Sequence, residues 1–284
     1  MSDALPQFEI RKMTRADLEL AWKFCIEEGW NPGKYDQEAF YAADTNGFFL
    51  GLLDGVPIGC ISGVAYDDRF GFLGIYLVRP PFRGQGYGLR LFEAARRYLG
   101  DRIIGLDGVL AQQANYQKAG FEFAYRNIRH SGVFEGKETD SPDVFPLTEL
   151  PIAQLEAFDT AMFGAPRRQF LRQWITLPDS AALGVLKNDV LVGYGVLRPR
   201  QEGYQIGPLY ARTPETADSL FRSLAAQRPG HTLYYDALEC NPESLLLAQR
   251  YGLKPVFETA RMYANGCPDL PLNCHYSVCS FELG

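Results

Sequence analysis

Leu77-Val78-Arg79-Pro80-Pro81-Phe82-Arg83-Gly84-Gln85-Gly86-Tyr87-Gly88-Leu89-Arg90-Leu91-Phe92-Glu93-Ala94-Ala95 joins an apolar run, Phe70–Val78, to a segment of helical periodicity. Pro80 and Pro81 have no N–H to donate and end the strand. Gly84, Gly86 and Gly88 lack Cβ atoms, so the backbone there can come close to a ligand. Amides at the start of the following helix, with the positive end of its dipole, suit an anion such as a pyrophosphate. A plain glycine-rich turn is the competing reading. A dinucleotide fold places its glycine motif after the first strand, with an acid about 20 residues on, and a Walker loop ends in Gly-Lys-Ser/Thr. Neither order is present. In the helix, Leu89, Phe92, Ala95 and Leu99 form the expected buried stripe.

Outward from this loop, the chain repeats itself. GFFLGLLDGVPIGCISG starts at Gly47 and AALGVLKNDVLVGYGVL at Ala181. Gly51 aligns with Gly184, Gly59 with Gly193 and Gly120 with Gly252, at nearly constant offset, and both hairpins turn on Asx residues (Asp54-Gly55 and Asn188-Asp189). Each copy reads as an opening strand, helices, a hairpin, a further strand, a helix, a strand, a helix and a final strand that closes the unit. The expected order is a domain at 1–136, a polar aperiodic linker at 137–146 and a second domain at 147–284. Cys274–Leu283 reads as one more strand.

The bulk composition agrees. The chain has 284 residues, enough for two domains of about 140 residues each. A formal net charge of −6 argues against nucleic acid as a partner, because phosphate binding needs clustered excess Lys and Arg. Gly47–Tyr66 is the one stretch apolar enough to suggest a membrane span, but its glycines, Pro57 and Asp54-Gly55 make it two strands. No secretion signal is visible in MSDALPQFEIRK, and the six cysteines include no C-x-x-C pair. A cytoplasmic chain with reduced thiols, monomeric or homodimeric, is expected. Cys267, Cys274, His275 and Cys279 lie close in sequence without the paired spacing of a zinc site, so no metal is expected.

The loop resembles the hallmark Q/R-x-x-G-x-G/A of the GNAT acetyltransferase superfamily, matched by Arg83, Gly86 and Gly88, and the first half follows that family's strand and helix order. The resemblance implies an α/β fold, two GNAT units in tandem, each a mixed central sheet flanked by helices. It implies acetyl-CoA lying between the splayed strands Phe70–Val78 and Ile103–Val109. Tyr76, Leu77 and Val78 would hold its pantetheine arm and thioester carbonyl, and Arg83, Gly84, Gln85, Gly86, Tyr87 and Gly88 its pyrophosphate. A later family motif, N-x-x-A-x-x-x-Y-x-x-x-G-F, places Tyr116 as the general acid for the leaving thiolate, although its Asn position is Val109. In the second copy Asn241 is kept, Ala248 replaces the Tyr, and the loop Ala211-Arg212-Thr213-Pro214-Glu215 has no glycine. That copy is expected to be silent.

The implied reaction is transfer of acetyl from acetyl-CoA to a primary amine of a small molecule or peptide, by direct attack in a ternary complex. The alternative is a non-catalytic acyl-CoA-binding regulator, and Tyr116 favours the enzyme. An amine of pKa about 10 needs a base before it can attack. Glu27, Glu28 and Asp107 are the candidates, and Trp30 is a candidate lining of the acceptor pocket.

Overall fold

The computed structural model describes residues 6–136 and 143–284. The expected linker at 137–146 therefore lies outside the described residues except for its last four positions. The first half contains β1 (Phe8–Lys12), α1 (Asp17–Glu27), α2 (Asp36–Ala43), β2 (Phe48–Leu53), β3 (Val56–Ala65), β4 (Phe70–Val78), α3 (Tyr87–Leu99), β5 (Ile103–Val109), α4 (Gln113–Lys118) and β6 (Glu122–Val133). The second contains β7 (Val144–Pro146), α5 (Ile152–Phe163), α6 (Arg168–Trp174), β8 (Ala181–Lys187), β9 (Val190–Pro199), β10 (Tyr204–Ala211), α7 (Pro214–Ala225), β11 (Thr232–Leu238), α8 (Pro242–Arg250), β12 (Lys254–Ala264) and β13 (His275–Ser277).

The two hairpins have the backbone that their sequences call for. Asp54 and Gly55 have φ of 50° and 78°, and Asn188 and Asp189 have 51° and 61°, the positive values of a two-residue turn matched to strand twist. In α3 the buried stripe is Leu91, Phe92, Ala95 and Leu99. Leu89, expected in the stripe, is 61% exposed, and Leu91 takes the buried place instead.

The described strands form one mixed sheet in the order β1-β2-β3-β4-β5-β12-β6-β11-β10-β9-β8-β7, with β13 attached to β10. The expectation that each unit closes on its own final strand is corrected here. β12, from the second half, pairs antiparallel with β5, and β6, from the first half, pairs antiparallel with β11. The two exchanged strands also pair with each other along most of their lengths. Alternation within a strand fixes its faces but not its neighbour, so sequence periodicity cannot detect such an exchange.

Buried polar ties accompany it. Arg261 on β12 grips Asp107 on β5 through two bonds of 2.8 and 2.7 Å, and Asn127 on β6 adds a third at 2.7 Å. Arg129 on β6 grips Asp236 on β11 at 2.7 Å through each of two nitrogens. The apolar cores lie beneath the helices. Leu91, Phe92, Ala95, Ile104 and Phe121 pack under α3, and Leu220, Phe221, Leu224, Tyr235 and Leu247 form the corresponding core in the second half.

Candidate active site

The site begins with a fault in β4. Cys60 of β3 faces Leu77 and Ser62 faces Gly74, so the single Ile61 stands opposite Ile75 and Tyr76. This is a β-bulge, and Ile75 sits at φ 45°, a left-handed conformation that β-branched residues adopt only when the surroundings impose it. Parallel pairing of β4 with β5 covers only Phe70–Leu73 against Ile103–Leu106. Past the bulge the two strands part, leaving a wedge between Gly74–Val78 and Asp107–Val109.

The glycine loop lies beyond the wide end of the wedge. Gly84 and Gly86 have φ of 74° and 84°, and a Cβ on either would meet nothing within 4 Å, so this backbone faces open space. Gly86 is the N-cap of α3 and offers no side-chain acceptor. The first bond into the helix runs from Arg90 N to Gly86 O at 3.3 Å, so the amides of Tyr87, Gly88 and Leu89 precede any intrahelical partner. The Arg83 and Gln85 side chains hold the loop in shape. Arg83 Nε donates to Val78 O at 2.7 Å and its guanidinium pairs with Glu28, while Gln85 Nε2 donates to Pro81 O at 3.1 Å.

Gly88 has a separate reason to lack a side chain. The Tyr76 hydroxyl lies 2.7 Å from where its Cβ would stand. Sequence reasoning valued Tyr76 for its backbone and gave its side chain no part. The alternation of β4 was the available signal, since it points Tyr76 and Val78 to the same face as α3. Gly108 was missed altogether. The Tyr116 ring covers it so closely that a Cβ there would stand 2.5 Å from a ring carbon.

Tyr116, on α4, thus lies over β5 on the flank of the wedge. Its ring packs against Phe92 and Phe121, with centroids 6.1 and 6.3 Å away. Burial pushes its phenol up to about 12, with the nearby Tyr76 adding in the same direction. The hydroxyl therefore keeps its proton throughout the ordinary pH range.

The carboxylates singled out from sequence are engaged elsewhere. Glu28 pairs with Arg83, and Glu27 stands 3.9 Å from Lys23 along α1. Asp107 is fully enclosed by Arg261 and Asn127 as described above; burial raises its carboxyl against the opposing pull of Arg261. Trp30 is 37% exposed, and its carbonyl accepts from Arg200 of the second half at 3.2 Å. Residues 30–34 run alongside residues 199–203, joined by Lys34 N to Pro199 O and Gln201 N to Pro32 O. Among the described residues no group of three or more His, Cys, Asp or Glu side chains could hold a metal ion. No helix is long and apolar enough to cross a membrane.

The second half has the same elements in a closed form. β10 carries the same bulge, between Ile206 and Leu209, and β10 pairs with β11 only over Tyr204–Ile206. Here the wedge is filled by β13, which pairs antiparallel with β10. Ser277 Oγ donates to Ile206 O at 2.8 Å and Val278 N to Asp236 O at 3.2 Å, so this strand bridges both walls. Asn241, the motif residue kept in this copy, caps α8 and donates to His275 O at 2.8 Å, holding the inserted strand. The start of α7 is also occupied, because the Thr213 hydroxyl accepts from Thr216 N at 3.3 Å.

Comparison with known proteins agrees with this architecture. Residues 15–121 match the model of the acetyltransferase (GNAT) family, and residues 155–274 match an acetyltransferase (GNAT) domain. The holothin acyltransferase of Pseudoalteromonas sp. (strain SANK 73390) is 33% identical over 94% of this chain and 92% of its own length. The uncharacterized N-acetyltransferase YitH of Bacillus subtilis is 25% identical, covering 81% and 86%. Among solved structures, a candidate acetyltransferase from Pyrococcus horikoshii superposes with a TM-score of 0.84 at 21% identity, over 100% of this chain and 99% of its own. A tandem GNAT protein from the clavulanic acid biosynthesis pathway gives 0.62 at 13% identity, over 93% and 100%. The repeated α/β fold, the two family matches and the full-length relative agree: the chain belongs to the GNAT acyltransferase family and carries two GNAT domains in tandem.

Proposed function

We propose that the protein is an N-acetyltransferase that takes one acetyl-CoA per chain, in the wedge of the first half, and transfers its acetyl group to a primary amine. The observation that carries this reading is the pairing of an open wedge with an uncapped helix start in one half, when both features are closed in the other. The name of the Pseudoalteromonas relative supports transfer to a discrete acceptor molecule. A small-molecule or peptide amine remains the acceptor class.

The residues present fit acetyl-CoA. Backbone amides from Gly84 to Gly88 would receive the pyrophosphate, stabilised by the α3 dipole. The β4 edge from Tyr76 to Val78 would pair with the pantetheine amides in place of the missing β5 partner. An amide at the bulge, aimed at the thioester carbonyl, would stabilise the oxyanion that develops when the amine attacks. The Tyr116 O–H would protonate the departing thiolate. With the phenol near 12 and a thiol near 8.5, that step is uphill by about 5 kcal/mol in the empty site, which is affordable within a barrier of enzymatic size. The second domain, with its wedge closed, would bind no acetyl-CoA of its own.

Calorimetry of acetyl-CoA against the intact chain, followed by single-turnover transfer of labelled acetyl to a panel of amines, tests the reading. One site per chain with transfer to at least one amine is expected. Two sites would refute the assignment of a single open wedge, and tight binding without any transfer would indicate a sensor.

A further inference from the structure

The chain that fills the second wedge does not stop there. After passing Gly207, whose Cβ would collide with Val278 O at 2.6 Å, it crosses to the first half and reaches Gly74, whose Cβ would stand 1.9 Å from Glu282 O. Gly207 and Gly74 are 133 positions apart, the spacing of the repeat, and each adjoins the bulge of its own strand. One segment thus touches the same point in both copies. Beyond it, Tyr66 Oη donates to Leu283 O at 2.7 Å and the Leu283 side chain is buried in the core beneath α1. The backbone of Glu282 is therefore fixed immediately beside the point where β4 departs from β5.

Its side chain is unlike every other carboxylate near the wedge. It is half-buried, and among the described residues it has no hydrogen bond and no ion pair. The groups that feel its charge come from four elements: Cys25 on α1, Asp36 on α2, Arg129 on β6 and Arg200 just past β9. Cys25 is a buried thiol pushed far up by desolvation and stays neutral. Asp36 is raised to about 6 by burial, against the pull of Arg198. Arg129 is committed to Asp236, whereas Arg200 has only neutral partners, Gln205 and the Trp30 carbonyl. Arg200 is lowered to about 9, by burial first and then by Arg129 and Arg198, and still remains charged at neutral pH. The surroundings of Glu282 therefore contain a cation, Arg200, without a carboxylate partner of its own.

We propose that the Glu282 carboxylate is the general base that takes the proton from the acceptor's ammonium group, so that the second domain supplies a catalytic residue to the first. This assignment rests on the acetyltransferase reading above. The ammonium gives one proton to Glu282, which passes it to water. The free amine attacks the thioester carbon, forming the C–N bond, and the C–S bond breaks. The second amine proton lost balances the one that Tyr116 gives to the thiolate. One proton is released overall, and no oxidant or metal is required. Glu28 and Asp107, by contrast, hold Arg83 and Arg261 in ion pairs.

The test uses the full chain with Glu282→Gln and Glu282→Asp, thermal unfolding of each, acetyl-CoA calorimetry, and the pH dependence of kcat/KM. Glu282→Gln should lower kcat/KM at neutral pH by about 100-fold or more and remove the acid-side limb, while acetyl-CoA affinity and melting temperature stay at the wild-type values. Glu282→Asp should recover part of the rate and restore the limb. A Gln variant with the wild-type pH profile overturns the assignment while leaving the acetyltransferase reading intact. Loss of acetyl-CoA binding in both variants would also overturn it, since Glu282 would then be shaping the wedge. Failure of the wild-type protein to acetylate any amine would fall on the acetyltransferase reading instead.

Discussion

The two wedges of this molecule have the same plan and opposite contents. In the first half, β4 and β5 part after Leu73 and Leu106, and among the described residues no other strand enters between them. In the second half, β10 and β11 part after Ile206 and Tyr235, and β13 enters. The α3 start is left open by Gly86, whereas the α7 start is capped by Thr213 and followed by Glu215, whose carboxylate is kept ionised by bonds to its own backbone N–H and to Thr213. The protein's own strand fills the second wedge, and its own side chains occupy the start of α7. A duplicated ligand site can thus be retired without altering the sheet, by satisfying its exposed backbone groups internally.

The largest effect should come from the tie that joins the halves. Asp107→Asn leaves Arg261 buried without its counter-charge and should cost about 3–5 kcal/mol in chemical unfolding. Unchanged stability with a collapse of kcat would instead make Asp107 a reacting group and reverse the contrast drawn with Glu282.

Next is the loop. Gly86→Glu adds a negative charge at the proposed pyrophosphate site and should weaken acetyl-CoA binding about 100-fold or more by calorimetry, with a small loss of stability from the left-handed backbone. The counterpart in the second half, Thr213→Ala, removes only a cap, should cost about 1 kcal/mol and should leave acetyl-CoA affinity unchanged. Equal effects on affinity at the two positions would erase the distinction between the wedges.

An effect on kcat alone concerns the acid. Tyr116→Phe should lower kcat by roughly 100-fold at constant acetyl-CoA affinity. Because burial raises rather than lowers the phenol, and the protonated form is the active one, wild-type kcat should hold on the alkaline side until about pH 11. An alkaline limb near 8 or 9 that disappears in Tyr116→Phe would show a phenol much more acidic than its surroundings imply.

Local chemistry made the loop, both hairpins, the repeat and the position of Tyr116 legible in the sequence. Glycines at positive φ, Asx turns and fixed spacing to a later glycine are each written in a few adjacent residues. Ala248 in place of a tyrosine and the missing glycines of the second loop were legible for the same reason. What the linear chain could not display was long-range pairing. The exchange of β6 and β12, the Asp107–Arg261 tie across 154 positions and the Glu282–Gly74 contact depend on which strand edges meet in space. The sequence by itself determined that there are two GNAT folds and that one keeps its loop. Only the tertiary structure decided that each fold is completed by the other's strand, and that the tail which closes one wedge runs on to lie against the bulge of the other, because a strand's edge bonds with whatever neighbour folding brings to it.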